Sequence, residues 1–184
     1  MTANMNRVVV CNKEYDIVKL LGHGKGGYSY LAKSNGTMVV LKQIHHEPCE
    51  YYNFGNKIEA ECRDYERLCT TGIRIPKMIA MDMKTERIIK EYIHGDTVFD
   101  CLCNRKTVDH YLIQVREMAE LARKAGLNID YFPTNFVIQN NLLWYVDYEC
   151  NDYMEEWNFE NWGIKYWSHT AEFENYLKQH PRFQ

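Results

Sequence analysis

Gly22-His23-Gly24-Lys25-Gly26-Gly27-Tyr28-Ser29-Tyr30-Leu31-Ala32-Lys33-Ser34-Asn35-Gly36-Thr37-Met38-Val39-Val40-Leu41-Lys42 sets the architecture of the chain. Its glycines form a turn in which backbone N–H groups can approach phosphate oxygens with no side chain in the way, although a flexible hairpin loop has the same composition. The turn is followed by a strand pattern, not by a helix, which argues against a dinucleotide-binding fold. Lys25 also lacks the G-K-[ST] context of a P-loop. Asn35-Gly36 tolerates the positive φ angles of a tight hairpin. With these two residues as the loop, Ser34 faces Thr37 and Lys42 faces Ser29, two residues past the glycine turn. Lys42 closes an apolar strand, where an ammonium group requires an anion. A phosphate under the glycine turn would supply one; a lysine snorkelling from the strand end is the structural alternative.

Working outward, β-branched and alternating runs predict strands at 8–10, 15–21, 28–33 and 38–44, then at 78–83 and 87–92. Residues 57–71 read as a helix ending at Gly72. On it Ile58, Glu61, Tyr65 and Leu68 share one face, so Glu61 points where the apolar residues point. A carboxylate there calls for a positive partner, and Lys42 is the candidate; a rotated helix would instead put Glu61 at the rim. Residues 109–125 predict an amphipathic helix with Tyr111, Val115, Met118 and Ala122 on one stripe, closed by Gly126. A hairpin over 136–148 follows, and the tail from Asp152 reads as helical and aromatic.

The last constellation is Asp130-Tyr131-Phe132-Pro133-Thr134-Asn135 with Asp147. A three-residue loop at 140–142 makes Asn135 face Asp147, and a two-residue loop shifts this pairing by one. Either register brings an amide oxygen and a carboxylate out together, hard ligands suited to Mg²⁺. Asp130, a few residues earlier, is placed to accept a proton from an attacking hydroxyl. Polar residues capping a hairpin would look the same one at a time.

Composition narrows the classes. The chain has 184 residues, with 22 Lys+Arg against 25 Asp+Glu and a formal charge of −3, so no basic excess points to nucleic acid. No apolar run reaches the ~18 residues needed to span a bilayer. The start, Met1-Thr2-Ala3-Asn4-Met5-Asn6, lacks the basic and apolar regions of a secretory signal. The seven cysteines, Cys11, Cys49, Cys62, Cys69, Cys101, Cys103 and Cys150, have no paired C-x-x-C spacing and read as reduced thiols. Together these predict a cytoplasmic protein. His45-His46 receives no metal role, because no third ligand lies nearby in sequence.

In order along the chain, these pieces resemble the protein-kinase-like superfamily over about residues 16–150. Gly22, Gly24 and Gly27 match G-x-G-x-x-G, Val39-Val40-Leu41-Lys42 matches V-A-I-K, and Glu61 matches the glutamate that pairs with that lysine. Glu91-Tyr92-Ile93 looks like the hinge whose backbone binds adenine. Asp130 and Asn135 match D-x-x-x-x-N, and Asp147 takes the place of the metal-binding aspartate. The nearest similarity is to minimal atypical kinases, the small kinase of the KEOPS tRNA-modification complex and the RIO kinases, carried by 61–76 and by Lys90-Glu91-Tyr92-Ile93-His94-Gly95.

The resemblance implies a single α+β kinase-like domain with two lobes. The N-lobe, about 1–93, would hold an antiparallel sheet plus one helix; the C-lobe, about 94–184, would be truncated and mainly helical. It implies ATP and Mg²⁺ as cofactors. Gly22, Gly24, Gly27, Lys42, Glu91 and Ile93 would bind nucleotide, Asn135 and Asp147 the metal, and Asp130, Lys42 and Glu61 would be catalytic. The implied activity is an atypical serine/threonine-type protein kinase with a hydroxyl acceptor. The alternatives are a small-molecule kinase of aminoglycoside or choline type and a non-catalytic nucleotide-binding scaffold.

Departures from the pattern bear on this choice. Asn128-Ile129 replaces the usual His-Arg, removing the receptor for a phosphorylated activation loop. Phe132 stands where serine/threonine kinases carry a lysine, and Asp147-Tyr148-Glu149 is similar to the I-D-x-E of small-molecule kinases. Only 35 residues follow Glu149, too few for a full activation segment and peptide groove. The tail aromatics Trp157, Phe159, Trp162, Tyr166 and Trp167 fit closure of a shortened core, with a cage for a quaternary ammonium as the other reading.

Overall fold

A computed structural model describes residues 7–47 and 56–180. The expectations for the first six residues and for Cys49 lie outside these. The other six cysteines carry thiols, not disulfides. The chain is mixed α+β and divides into two compact units, one of residues 7–47, 56–63 and 76–92, the other of 64–75 and 93–180. No helix among the described residues is long and apolar enough to cross a membrane.

The first unit is built on a six-stranded antiparallel sheet ordered β1-β2-β3-β4-β6-β5. Its strands are β1 (Arg7–Val10), β2 (Lys13–His23), β3 (Gly27–Ser34), β4 (Thr37–Ile44), β5 (Met78–Asp82) and β6 (Arg87–Glu91). Asn35 and Gly36 take φ angles of 49° and 82°, and the register they set pairs Ser34 with Thr37 and Ser29 with Lys42, as the sequence predicts. Period-2 alternation then sorts β4 into two faces. Val39 and Leu41 join Val10, Tyr15, Ala32 and Ile89 in one apolar cluster. Ile44 joins Ile88 and Ile58, the latter from helix α1 (Lys57–Cys69), in another. Lys42, two residues before Ile44, therefore shares the face that α1 covers.

The division between the units falls inside α1, between Arg63 and Asp64. The helix ends two residues earlier than predicted, and Gly72 at φ 81° lies in the turn that follows.

The second unit contains α2 (Val98–Cys103), α3 (Asp109–Lys124) and α4 (Ala171–Gln179), together with the two-stranded sheets β8 (Phe136–Gln139)–β9 (Leu142–Tyr145) and β10 (Cys150–Asp152)–β7 (Leu127–Ile129). Helices make up most of its regular structure, beside four strands of only three or four residues each. Helix α2, unsignalled by periodicity at six residues, is secured by a capping box between Thr97 and Asp100. Helix α3 buries Val115, Met118 and Ala122 of the predicted stripe, and Tyr111 is half-buried.

The tail departs from the predicted helix until α4. Short 3-10 turns at Glu155–Trp157 and Gly163–Tyr166 precede it. Asn158 and Asn161 bond Glu155 and each other locally, which competes with helical pairing. Gly163 meets Tyr131 so closely that an added Cβ would sit 2.6 Å from Tyr131 Cβ. Phe159, Trp167 and Phe173 are buried with Tyr131, Phe136 and Tyr145, and Trp167 Nε1 donates to the Tyr131 carbonyl at 2.8 Å.

Candidate functional site

The candidate residues fall into two sets, one in each unit. In the first, Gly24 N donates to Gly27 O at 3.0 Å and closes the glycine turn between β2 and β3. The matched glycines are not equivalent. A Cβ on Gly27 would lie 2.4 Å from the Gln43 carbonyl oxygen, so the approach of β3 to β4 requires glycine there. Gly22 and Gly24 have open space around them.

Gly26, outside the matched positions, lies over the key charges: its Cβ would be 3.7 Å from Lys42 Nζ and 3.8 Å from Glu61 Oε1. Lys42 and Glu61 form an ion pair, and their side chains are only 10% and 14% exposed. Glu61 Oε2 is buried without a hydrogen-bond partner among the described residues. The helix rotation that would put Glu61 at the rim is thus excluded.

Lys57 adds a contact the sequence did not announce. Its buried ammonium, at the start of α1, donates to the His45 carbonyl at 2.7 Å and the Lys25 carbonyl at 3.2 Å. It ties the glycine turn and the end of β4 to the helix that carries Glu61. A lysine opening an amphipathic helix gives no such signal in sequence.

Of the expected hinge residues, Glu91 closes β6, where its N–H donates to the Lys77 carbonyl at 2.9 Å, and it pairs with Val39. Ile93 is buried and belongs to the second unit.

In the second unit the hairpin loop has two residues, Asn140 and Asn141, both in the left-handed region at φ 52° and 61°. Phe136 therefore pairs with Tyr145, and the Val146 N–H donates to the Asn135 carbonyl at 2.8 Å. The three-residue loop that set Asn135 against Asp147 is corrected by one position, because asparagine tolerates a positive φ and the tight turn prevails. Asp147 follows immediately, and Asn135 and Asp147 still emerge at the open end of the hairpin.

Asp130 sits between β7 and the 3-10 turn Pro133–Asn135. Its Oδ1 accepts from the Phe132 N–H at 3.0 Å, and its carbonyl accepts from Asn135 Nδ2 at 3.4 Å. The latter contact directs the Asn135 amide oxygen the opposite way. Asp147 Oδ1 accepts from the Tyr148 N–H at 2.8 Å.

Beneath these groups lies Tyr145, fully buried and unremarked by motif. Its hydroxyl donates to the Glu149 carbonyl at 2.7 Å and accepts from the Asp130 N–H at 3.3 Å. Burial, and then the charges of Asp147, Asp130 and Glu149, hold its phenol well above the ordinary value. Three carboxylates thus bear on the phenol at this end of the unit.

Phe132 is half-buried, with ring centroids 4.7 Å from Tyr176, 5.2 Å from Tyr166 and 5.9 Å from Phe99. Of the tail aromatics, Phe159 and Trp167 belong to the core, Trp162 and Tyr166 are half-buried, and Trp157 is exposed.

No protein-family model matches the chain, and no curated protein matches it.

Proposed function

We propose that this chain is an ATP-dependent phosphotransferase of protein-kinase-like type, transferring the γ-phosphoryl group to a hydroxyl, with a protein serine or threonine as the leading acceptor. The observation that carries this reading is the buried Lys42–Glu61 pair directly under the glycine turn. A strand lysine held by a helix glutamate beside closely packed backbone suits the polyphosphate of a nucleotide better than it suits a stability role, because buried pairs add little net stability.

Phosphoryl transfer needs mainly positioning and charge neutralisation. Lys42, oriented by Glu61, would contact the α/β-phosphates, and the N–H groups of the glycine turn would line them. Backbone groups of Glu91 and Ile93 would bind adenine. The oxygens of Asn135 and Asp147 would hold Mg²⁺, which would supply neutralisation of the phosphate charge. Asp130 would accept the acceptor hydroxyl's proton, its carboxylate held by the Phe132 N–H.

One observation favours a small-molecule acceptor instead: Phe132, in place of a lysine, packs into a half-exposed aromatic group with Tyr166 and Tyr176. Intact-mass analysis after incubation with Mg·ATP, beside Asp130→Asn, tests the proposal. Phosphate on the wild type and none on the variant supports a protein acceptor. No added mass, with ATP consumed only when a hydroxyl metabolite is supplied, supports the second reading. Nucleotide binding without consumption under either condition leaves a scaffold and overturns phosphotransfer.

A further inference from the structure

Three donor atoms outside the phosphotransfer set converge at the mouth of the glycine turn. His23 is the last residue of β2, His45 follows β4, and Glu47 lies two residues beyond. His23 Nε2 is 3.2 Å from His45 Nε2 and 3.3 Å from Glu47 Oε2, and all three ligand atoms lie within 4.8 Å of one another. A tetrahedral ion with bonds of ~2.0–2.1 Å has ligand–ligand edges of about 3.3–3.4 Å, which two of these separations approach.

We propose that His23, His45 and Glu47 bind a divalent transition ion of the zinc class, clipping the end of β2 to the segment after β4 across the glycine turn. Two imidazoles and one carboxylate select Zn²⁺, Co²⁺ or Ni²⁺ over Mg²⁺ and Ca²⁺, which prefer all-oxygen shells. Three protein ligands leave a fourth position for water. The site is independent of the phosphotransfer reading and takes none of its ligands from that set.

The surroundings orient the ligands. The Tyr28 hydroxyl donates to Glu47 Oε1 at 2.5 Å, leaving Oε2 toward the imidazoles. The Tyr28 ring stacks on His23 with centroids 4.2 Å apart and planes 5° from parallel. Such outer contacts fix ligand orientation and raise affinity.

Without the ion the same atoms form a hydrogen-bonded mesh. His45 Nδ1 accepts from the Glu47 N–H at 3.2 Å, and His45 Nε2 lies 2.9 Å from the Gly24 carbonyl. Binding needs the Nε2 lone pair of both imidazoles, so the His45 proton moves from Nε2 to Nδ1 and His23 carries its proton on Nδ1. His45 then gives up both its Nε2 bond to the Gly24 carbonyl and its Nδ1 contact with the Glu47 N–H, which coordination replaces. Sequence alone missed this site because the glycine turn, β3 and β4 separate His23 from His45 along the chain, and because the neighbouring His46 turns elsewhere. His46 Nε2 pairs with Glu86 Oε2 at 2.6 Å.

The test is a Co²⁺ titration of the full chain, followed by visible d–d absorption, with Zn²⁺ competition. Expected are saturable bands of a nitrogen/oxygen-ligated ion, displaced by Zn²⁺ but not by Mg²⁺. His23→Ala, His45→Ala and the near-isosteric Glu47→Gln each weaken binding at least tenfold, Tyr28→Phe about tenfold, and His46→Ala not at all. His23 and Glu47 are exposed, so their variants keep the fold, which circular dichroism checks. Absence of a saturable spectrum, full affinity in the His23→Ala/His45→Ala double variant, or intense thiolate-to-cobalt charge transfer from cysteine ligation would each overturn the proposal.

Discussion

In the first unit a buried positive charge is met by a buried negative one, Lys42 by Glu61, each fixed by a regular element: the middle strands of a six-stranded sheet and a helix packed on its face. In the second unit the candidate groups sit on loops around a short hairpin, and three carboxylates bear on one phenol, Tyr145. The first arrangement is an ion pair between two regular elements. The second places carboxylates on loops, where backbone donors and a buried hydroxyl hold them. Under the proposed phosphotransfer, the first region would grip phosphate and the second would hold a cation and move a proton. The contrast also predicts that damage will differ: variants in the first region should cost stability as well as activity, and those in the second mainly activity.

The largest effect expected is at Asp130. Asp130→Asn should lower turnover by roughly 10²–10⁴-fold, the range for a lost general base, while the melting temperature stays near that of the wild type. A large melting shift would place Asp130 among the structural groups and dissolve the contrast. Next is Lys42→Met, which strands Glu61 at a largely buried position. Stability should fall by about 3 kcal/mol in denaturant unfolding, and Lys42→Met/Glu61→Gln should recover most of it without restoring turnover. Recovered turnover would make the pair purely architectural.

A sharper version compares glycines within the turn. Gly27→Ala drives a Cβ against the Gln43 carbonyl and should cost about 1–3 kcal/mol, whereas Gly24→Ala should unfold like the wild type. Equal effects would mean that turn flexibility, not close approach, sets the requirement. The smallest effect belongs to Tyr145→Phe. Removing the hydroxyl that links the Asp130 N–H to the Glu149 carbonyl should cost about 1 kcal/mol and weaken Mg²⁺-dependent nucleotide binding. Unchanged binding would confine Tyr145 to packing.

How far the sequence could be read follows the same contrast. The β3–β4 register was recoverable because Asn35-Gly36 admits one tight turn and the strands beyond it alternate cleanly. Glu61 was recoverable because helical spacing places it among apolar residues. The β8–β9 register stayed open by one position because Asn140-Asn141-Leu142 allows both loop lengths, and the observed positive φ of both asparagines selects two residues. Helix α2 and strands β7 and β10, six and three residues long, are too short for periodicity and depend on tertiary partners. Tyr145, Lys57 and Gly26 act through contacts made by distant segments, which local pattern does not encode. The tail misled because aromatic spacing resembles a helix face, while asparagine side chains and the Gly163–Tyr131 contact break it into short turns.

The most direct test of phosphate grip in one unit and cation binding in the other is thermal unfolding with ATP, with and without Mg²⁺, for the wild type, Lys42→Met and Asp147→Asn. The account predicts Mg²⁺-dependent stabilisation of the wild type, about 2.7 kcal/mol when ligand is a hundredfold above its dissociation constant. Lys42→Met should lose most of the ATP effect in both conditions, and Asp147→Asn should lose only the Mg²⁺ increment. An Asp147→Asn response to Mg·ATP equal to that of the wild type would contradict it.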